Sequence, residues 1–312
     1  MNIQSDNLDE EINLLELLKV LWEGKIIIIS LTAFASIFAV VYSLSLPNVY
    51  ESKALLAPVD SSSSISGALG SYRGLAGLTG INLPSGGSEA NSEKAMETIK
   101  SLSFFEKNIL TNIFLPDLMA LESWSSNTNK VIYDERIYKT SSNSWEDEPS
   151  AQQAYKEFIS KHLRLGKDKN SGFITISIKH QSPFLAKQWA ELVINEVNDF
   201  YRQKDKEESE KAVRYLNQQI SMTGSSEIKQ VLAELVQEET KKLTLIDANE
   251  FYVFEYIDPP AVMEKKSEPN RANICIIIAF LGGILSILIV FIRHYFFNER
   301  VCLLYTSPSP RD

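Results

Sequence analysis

Two uninterrupted apolar runs stand near the two ends of this chain, and the long stretch between them alternates polar and apolar residues at soluble-protein periods. The first run is Ile26 to Leu46 (IIIISLTAFASIFAVVYSLSL) and the second is Ala272 to Ile292 (ANICIIIAFLGGILSILIVFI), each 21 residues long. A helix that crosses a bilayer needs about 20. The pattern predicts two transmembrane helices, 26–46 and 272–292, around a folded domain at 47–271. A cleaved signal peptide does not fit the first run: its apolar stretch is too long, and Pro47-Asn48-Val49-Tyr50 is no small-residue cleavage site. Two spans place both termini on one side of the membrane and the domain on the other.

Periodicity fills in the rest. Residues 8–22 (LDEEINLLELLKVLW) read as an amphipathic helix along the interface, with Trp22 suited to that depth. Tyr50 to Val59 reads as a strand leaving the membrane. Residues 61–87 are rich in Ser and Gly and read as flexible or loosely helical, with Leu69, Leu75, Leu78 and Ile81 available for packing. Glu89 to Lys100 is a helix, and Ser103-Phe104-Phe105-Glu106 looks like a capping box that opens another, ending near Pro116. Residues 122–149 are polar and turn-rich and read as surface, and helix resumes over Ser150 to Leu163. Phe173 to His180 is a period-2 strand. From Pro183 to about Ser221 the pattern is unbroken helix, with Leu185, Trp189, Leu192, Val193, Val197, Phe200 and Tyr201 on one stripe. At 1.5 Å per residue it would reach roughly 57 Å, too long for a small domain to enclose. Gly224 and its serine neighbours break it, and Glu227 to Ile246 returns as the second arm of a protruding hairpin. Phe251 to Ile257 is a last strand, expected to pair with the one after the first span. Pro259, Pro260 and Pro269 stiffen the approach to the second span.

The fold class is therefore an α+β membrane protein, two spans flanking a large α/β domain with a long protruding helical hairpin; that the domain is extracytoplasmic is what the family resemblance given below implies. Its segments are 1–25 amphipathic, 26–46 span, 47–271 domain with the long helix at about 183–221, 272–292 span, and 293–312 tail. Lysines and arginines leave the side of the domain open: Lys19, Lys25, Arg293 and Arg300 stand against Lys53, Lys265, Lys266 and Arg271. A net charge of −9 argues against nucleic acid as a partner. Cys275 and Cys302 lie in the second span and the tail, so the domain holds no disulfide. His162, His180 and His294 have no metal-ligand spacing. No phosphate-binding glycine motif occurs. Neither apolar run carries a charge, which argues against a pump or secondary transporter. No catalytic residue, cofactor or metal is expected. Small residues four apart, Ala279 with Gly283 and Gly282 with Ser286, let span helices approach closely.

Four features resemble the bacterial chain-length determinant proteins, the Wzz-type polysaccharide co-polymerases. They are Glu11 to Leu18 before the first span, the Tyr50 to Val59 strand after it, the junction from Phe173–Ile178 through His180-Gln181-Ser182-Pro183-Phe184-Leu185-Ala186, and Ile257-Asp258-Pro259-Pro260-Ala261-Val262 with Glu264 to Pro269. The resemblance covers roughly residues 8–297. It implies an inner-membrane protein with both termini cytoplasmic and the domain periplasmic. It also implies a ring-like homo-oligomer that sets the length of surface polysaccharide such as O antigen, acts with a separate membrane polymerase, contacts nascent or lipid-linked glycan, and has no catalytic residues. With no phosphate-binding loop after the second span, the chain resembles the family's kinase-free type. Leu303 to Asp312 departs from the family and reads as non-native sequence.

Within that reading, Arg202, Lys206 and Arg214 on the long helix are the expected length-control surface, together with the Gly-rich stretch 67–80. Gly282, Gly283, Ser286, Pro259, Pro260 and Pro269 are the expected packing positions of oligomer and membrane. The plain alternative for the charged run is a solvated face. A double-anchored sensor or binding module of the envelope is the competing function, and it would need a cytoplasmic output domain. An external hydrolase would use Asp134, Glu135, Glu146, Asp147 and Glu148, since paired carboxylates can cleave sugars, but they sit in surface-like sequence. An export-pump adaptor would ordinarily have one anchor.

Overall fold

The structure, a computed structural model, describes residues 14–59 and 88–302. The expected helix start at 8–13, the Ser/Gly-rich stretch 61–87 and the tail 303–312 lie outside the described residues. The chain divides into two compact units, Met1–Pro47 with Glu268–Asp312, and Asn48–Ser267.

In the first unit, α1 (Leu14–Glu23) turns into α2 (Lys25–Ser45) at Gly24. In the second unit, β1 (Tyr50–Pro58) comes first. After it come α3 (Ser88–Ile99) and the short α4 (Leu102–Phe104). The cap of α4 is Ser101, whose Oγ accepts the Phe104 amide at 3.3 Å, and not Ser103. The helix then widens into a π-type turn over Phe105–Ile109, because Phe105 and Ile109 are both drawn into the core. Next come α5 (Leu115–Met119), β2 (Leu121–Ser125), β3 (Lys130–Tyr133), β4 (Tyr138–Lys139) and β5 (Ser144–Trp145).

These four strands correct the reading of 122–149 as plain surface. They form two hairpins, β2 with β3 and β4 with β5. Phe114, Tyr133, Tyr138 and Trp145 make a ring cluster there, with centroid separations of 5.0–6.2 Å, and Tyr138 is buried. Polar composition concealed it, since the aromatic residues are scattered singly among turn residues.

α6 (Ala151–Glu157) opens on a true capping box, Ser150 with Gln153. It does not run to Leu163 as helix. A π-type turn (Phe158–His162) ends it, and Leu163 begins β6 (Leu163–Lys167), a strand too short for its periodicity to register. β7 (Ile174–His180), α7 (Pro183–Met222), α8 (Ser226–Ala248), β8 (Phe254–Asp258) and α9 (Arg271–Cys302) complete the order.

The sheet runs β6-β7-β1-β8, antiparallel throughout. The expected pairing of the first and last strands is present, Leu56 opposite Tyr256 and Pro58 opposite Phe254. Alternation sets the inner face: Ile174, Ile176 and Ile178 of β7 stand opposite Leu56, Ala54 and Ser52 of β1, all buried. The first half of α7 lies over that face through Ala186, Trp189, Ala190, Val193, Ile194 and Val197. Each large apolar side chain sealed here contributes about 1.5–3 kcal/mol.

α7 is capped by Ser182 with Pro183 in its first turn. Beyond the sheet it pairs with α8, which Ser225 caps. On α8, Leu232, Val236, Leu243 and Ile246 are shielded, at the three–four spacing of a helix seam.

In the membrane unit, α2 and α9 have windows of mean hydropathy 2.3 and 3.1, only 11% and 17% buried. So much exposed apolar surface excludes a soluble core helix and makes both spans. Ala39, Ser43, Ser286 and Val290 are buried in this unit. The second helix continues past Ile292 to Cys302, with no breaker in that stretch.

Candidate functional site

Three assemblies hold the positions singled out by sequence. The first is the base of the α7–α8 hairpin. Asn198, Arg202, Asp205 and Lys206 share one face of α7. Asn198 Oδ1 accepts the amides of Val253 (2.8 Å) and Phe254 (2.9 Å), and its Nδ2 donates to the Phe254 carbonyl at 3.1 Å. The Arg202 guanidinium donates to Asp199 Oδ1 (3.0 Å), to the Asn249 carbonyl (3.1 Å) and to the Glu250 carbonyl. Those carbonyls follow the C-terminal end of α8, where a cation is favoured. Lys206 Nζ meets Asp247 Oδ1 at 2.8 Å, and the Tyr252 hydroxyl donates to Asp205 Oδ2 at 2.5 Å.

Two of the three expected length-control residues, Arg202 and Lys206, are thus clamps within the hairpin. Arg214 is the exposed one, 3.6 Å from Glu210 one turn away. Asn198 was not singled out by sequence, although a lone polar residue inside an apolar stripe was its signal. Beside the base lies a cleft of about 210 Å³ lined by Lys94, Tyr201, Lys204, Asp205, Glu208 and Tyr252. It offers hydrogen-bonding groups of both signs and two rings.

The second assembly is the root of α7. His180 ends β7, and its Nδ1 accepts the Ser182 amide at 2.9 Å. The proton therefore sits on Nε2, which donates to the Asp117 carbonyl at 3.1 Å. His162 Nδ1 donates to the Lys179 carbonyl at 2.7 Å. The two imidazoles and the Trp189 indole have centroids 4.9–5.5 Å apart. Burial pushes His162 and His180 down to about 4, so both are neutral at physiological pH. Asp117 is pushed up by burial, partly offset by the hydroxyl of Tyr133 at 2.7 Å.

The third is the helix pair of the membrane unit. A Cβ on Gly282 would lie 2.5 Å from the Cβ of Ala35, whereas at Gly283 the nearest atom is Thr32 Oγ1 at 4.0 Å. Gly24 makes a similar close approach, with the Val290 side chain under 3.0 Å from any Cβ placed there. Ser286 is fully buried and its Oγ donates to the Gly283 carbonyl at 2.7 Å. Gly282 and Ser286 thus serve packing within the chain. Among the prolines, Pro260 is buried, Pro259 is exposed and Pro269 is half-buried.

Two of the acidic residues of 134–148 are paired with cations, Asp134 with Arg136 and Glu146 with Lys139, each at 2.7 Å. Arg136 holds Asp134 below the usual carboxylate range, and Lys139 does the same to Glu146. A glycosidase acid needs the opposite shift. Among the described residues no group of three or more His, Cys, Asp or Glu could hold a metal ion.

Residues 10–111 match the family model of the Wzz chain length determinant protein. No curated protein matches the chain. Among solved structures, a full-length bacterial polysaccharide co-polymerase is similar at 15% identity and TM-score 0.41, over 95% of this chain and 100% of that one. A fragment of WzzB, a polysaccharide co-polymerase from Salmonella Typhimurium, is similar at 13% identity and TM-score 0.28, over 71% of this chain and 100% of that one. A mutant of the Shigella flexneri lipopolysaccharide O-antigen chain-length regulator WzzBSF is similar at 13% identity and TM-score 0.22, over 70% of this chain and 100% of that one. At these scores the three likenesses carry no argument about this chain; the family match does. Over residues 10–111, which hold the first span and the strand that leaves it, the chain is similar to the chain length determinant family.

Proposed function

We propose that this two-span membrane protein is a non-enzymatic regulator of surface polysaccharide chain length, acting as a homo-oligomer beside a separate membrane polymerase. The family match over residues 10–111 carries the reading. In it the spans lie in the bacterial inner membrane, both termini face the cytoplasm, the domain faces the periplasm, and the glycan is of the O-antigen class. The hairpin supports an oligomer: Ile228, Val231, Leu235 and Leu245 stay exposed on α8 although its other stripe is already shielded. An exposed apolar stripe at helical spacing is suited to a neighbouring helix. Arg214 and the outer surface of α7 are then the part of the hairpin left to contact glycan or polymerase.

The test is the lipopolysaccharide ladder of a host that keeps its polymerase but lacks its own length regulator, expressing residues 1–302. A new cluster of bands at a defined length is the expected result. An unregulated ladder, with the protein in the membrane and the source organism's own polymerase present, would sink the reading.

A further inference from the structure

Tyr50, Trp124 and Phe184 form a line of rings at one end of the domain. Tyr50 meets Trp124 edge-on at 5.6 Å between centroids, and Trp124 meets Phe184 at 6.4 Å. They come from three separate elements: the first residue of β1, the fourth residue of β2 and the second residue of α7. The indole Nε1 donates to Asn129 Oδ1 at 3.0 Å. Phe184 is 47% exposed in the folded domain.

The segment after β8 runs back along β1 toward the same end. Ser52 Oγ donates to the Ala261 carbonyl at 2.9 Å, and the Ser267 amide donates to the Val49 carbonyl at 2.8 Å. It leaves Val262 and Met263 39% and 44% exposed. Lys265 and Lys266 follow, both exposed, with Lys266 Nζ 3.2 Å from Asn48 Oδ1.

Chain length limits what this end can meet. The first span helix ends at Ser45 and β1 begins at Tyr50. The returning segment is fixed at Ser267 and the second span helix begins at Arg271. Fully extended, these two tethers reach about 17 Å and about 14 Å. Both start from the ringed end.

We propose that this end of the domain is a lipid-binding foot. Tyr50, Trp124, Phe184, Val262 and Met263 enter the headgroup layer of the bilayer that the chain spans, and Lys265 and Lys266 meet lipid phosphates. Tyr and Trp favour that depth because each joins an apolar ring to a polar tip. Lysines at the surface add attraction to anionic lipid. The foot rests on the two-span reading and is independent of any role in chain length.

The test places the full chain in vesicles of zwitterionic and anionic phospholipid, part of it brominated on the upper acyl carbons. Trp22→Phe and Trp145→Phe remove two indoles, leaving Trp124 and the buried Trp189. The Trp124 signal is the difference on adding Trp124→Tyr. Quenching of that difference signal by about twofold or more in brominated vesicles is expected. Emission unchanged by bromine overturns the foot, and so does emission that responds only to protein dilution, the mark of a second copy on this surface. A spin label at Phe184→Cys, in a background without Cys275 and Cys302, is a second readout that leaves the indoles intact. Collisions with lipid-soluble oxygen should exceed those with an aqueous nickel complex, and the reverse order overturns the proposal.

Discussion

His180 is a single residue that joins three elements, and both ring nitrogens are used in doing so. Its Nδ1 holds the amide of Ser182, the cap of α7, and its Nε2 proton holds the carbonyl of Asp117 in α5. Protonation would turn Nδ1 from acceptor to donor and oppose the Ser182 amide. Burial disfavours the charged imidazolium and keeps His162 and His180 neutral down to about 4, against an ordinary value near 6.5. The unfolded chain takes up these protons first, so stability is complete above pH 6.5 and falls as pH drops from there toward 4. The slope reaches about 1.4 kcal/mol per pH unit for each imidazole. Denaturant midpoints of the full chain in detergent at pH 7.5, 6.0 and 5.0 should fall in that order, above the range where carboxylates titrate; equal midpoints would contradict the buried neutral pair. Sequence could place His180 at the end of the expected Phe173–His180 strand and His162 in the helix expected over 150–163, yet not their neutrality. That depends on burial, which exists only after folding, with both rings packed against Trp189.

At the scale of elements, side chains on one face of α7 decide where the hairpin begins and where β8 is held. Asn198 satisfies two backbone amides and one carbonyl inside the core. Asn198→Ala would leave them without partners, so a loss of about 3 kcal/mol in chemical denaturation is expected; a loss below about 1 kcal/mol would mean that the backbone finds other partners. The span pair separates two adjacent glycines. Gly282→Val should lower the thermal midpoint of the full chain in detergent, because its side chain would meet Ala35, whereas Gly283→Val should leave it nearly unchanged. Equal effects would contradict the described packing. The small-residue spacing was legible in sequence, but not which of the two glycines faces the partner helix, since they lie on neighbouring sides of one turn. The long helix was legible almost to the residue, because its cap, Pro183 and its break at Gly224 are local signals. β6 and the hairpins of 121–145 were not. Their strands are two to five residues long, and only cross-strand partners identify them.

At the scale of the whole molecule, two spans and a hairpin with one shielded and one exposed apolar stripe fit a protein that works as an assembly. Val231→Asp with Leu235→Asp should reduce the oligomer mass by native mass spectrometry or light scattering in detergent, with far-ultraviolet circular dichroism unchanged. An unaltered mass would move the subunit contact away from α8. The architecture was readable from hydrophobic pattern alone, because span length is set by the bilayer and not by tertiary context. The partners of Arg202 and Lys206 were not, since both look like free cations in sequence and are clamps once α8 returns beside α7.

The central claim is that this protein sets a length without making the glycan itself. The most direct measurement is polymerisation in vesicles that contain the source organism's polymerase and lipid-linked repeat units, with and without this protein, read as the distribution of product lengths. The account predicts a broad distribution with polymerase alone, a narrow one around a defined length when this protein is added, and no polymer from this protein by itself. A distribution that does not change on its addition, or polymer formed in the absence of the polymerase, would contradict it.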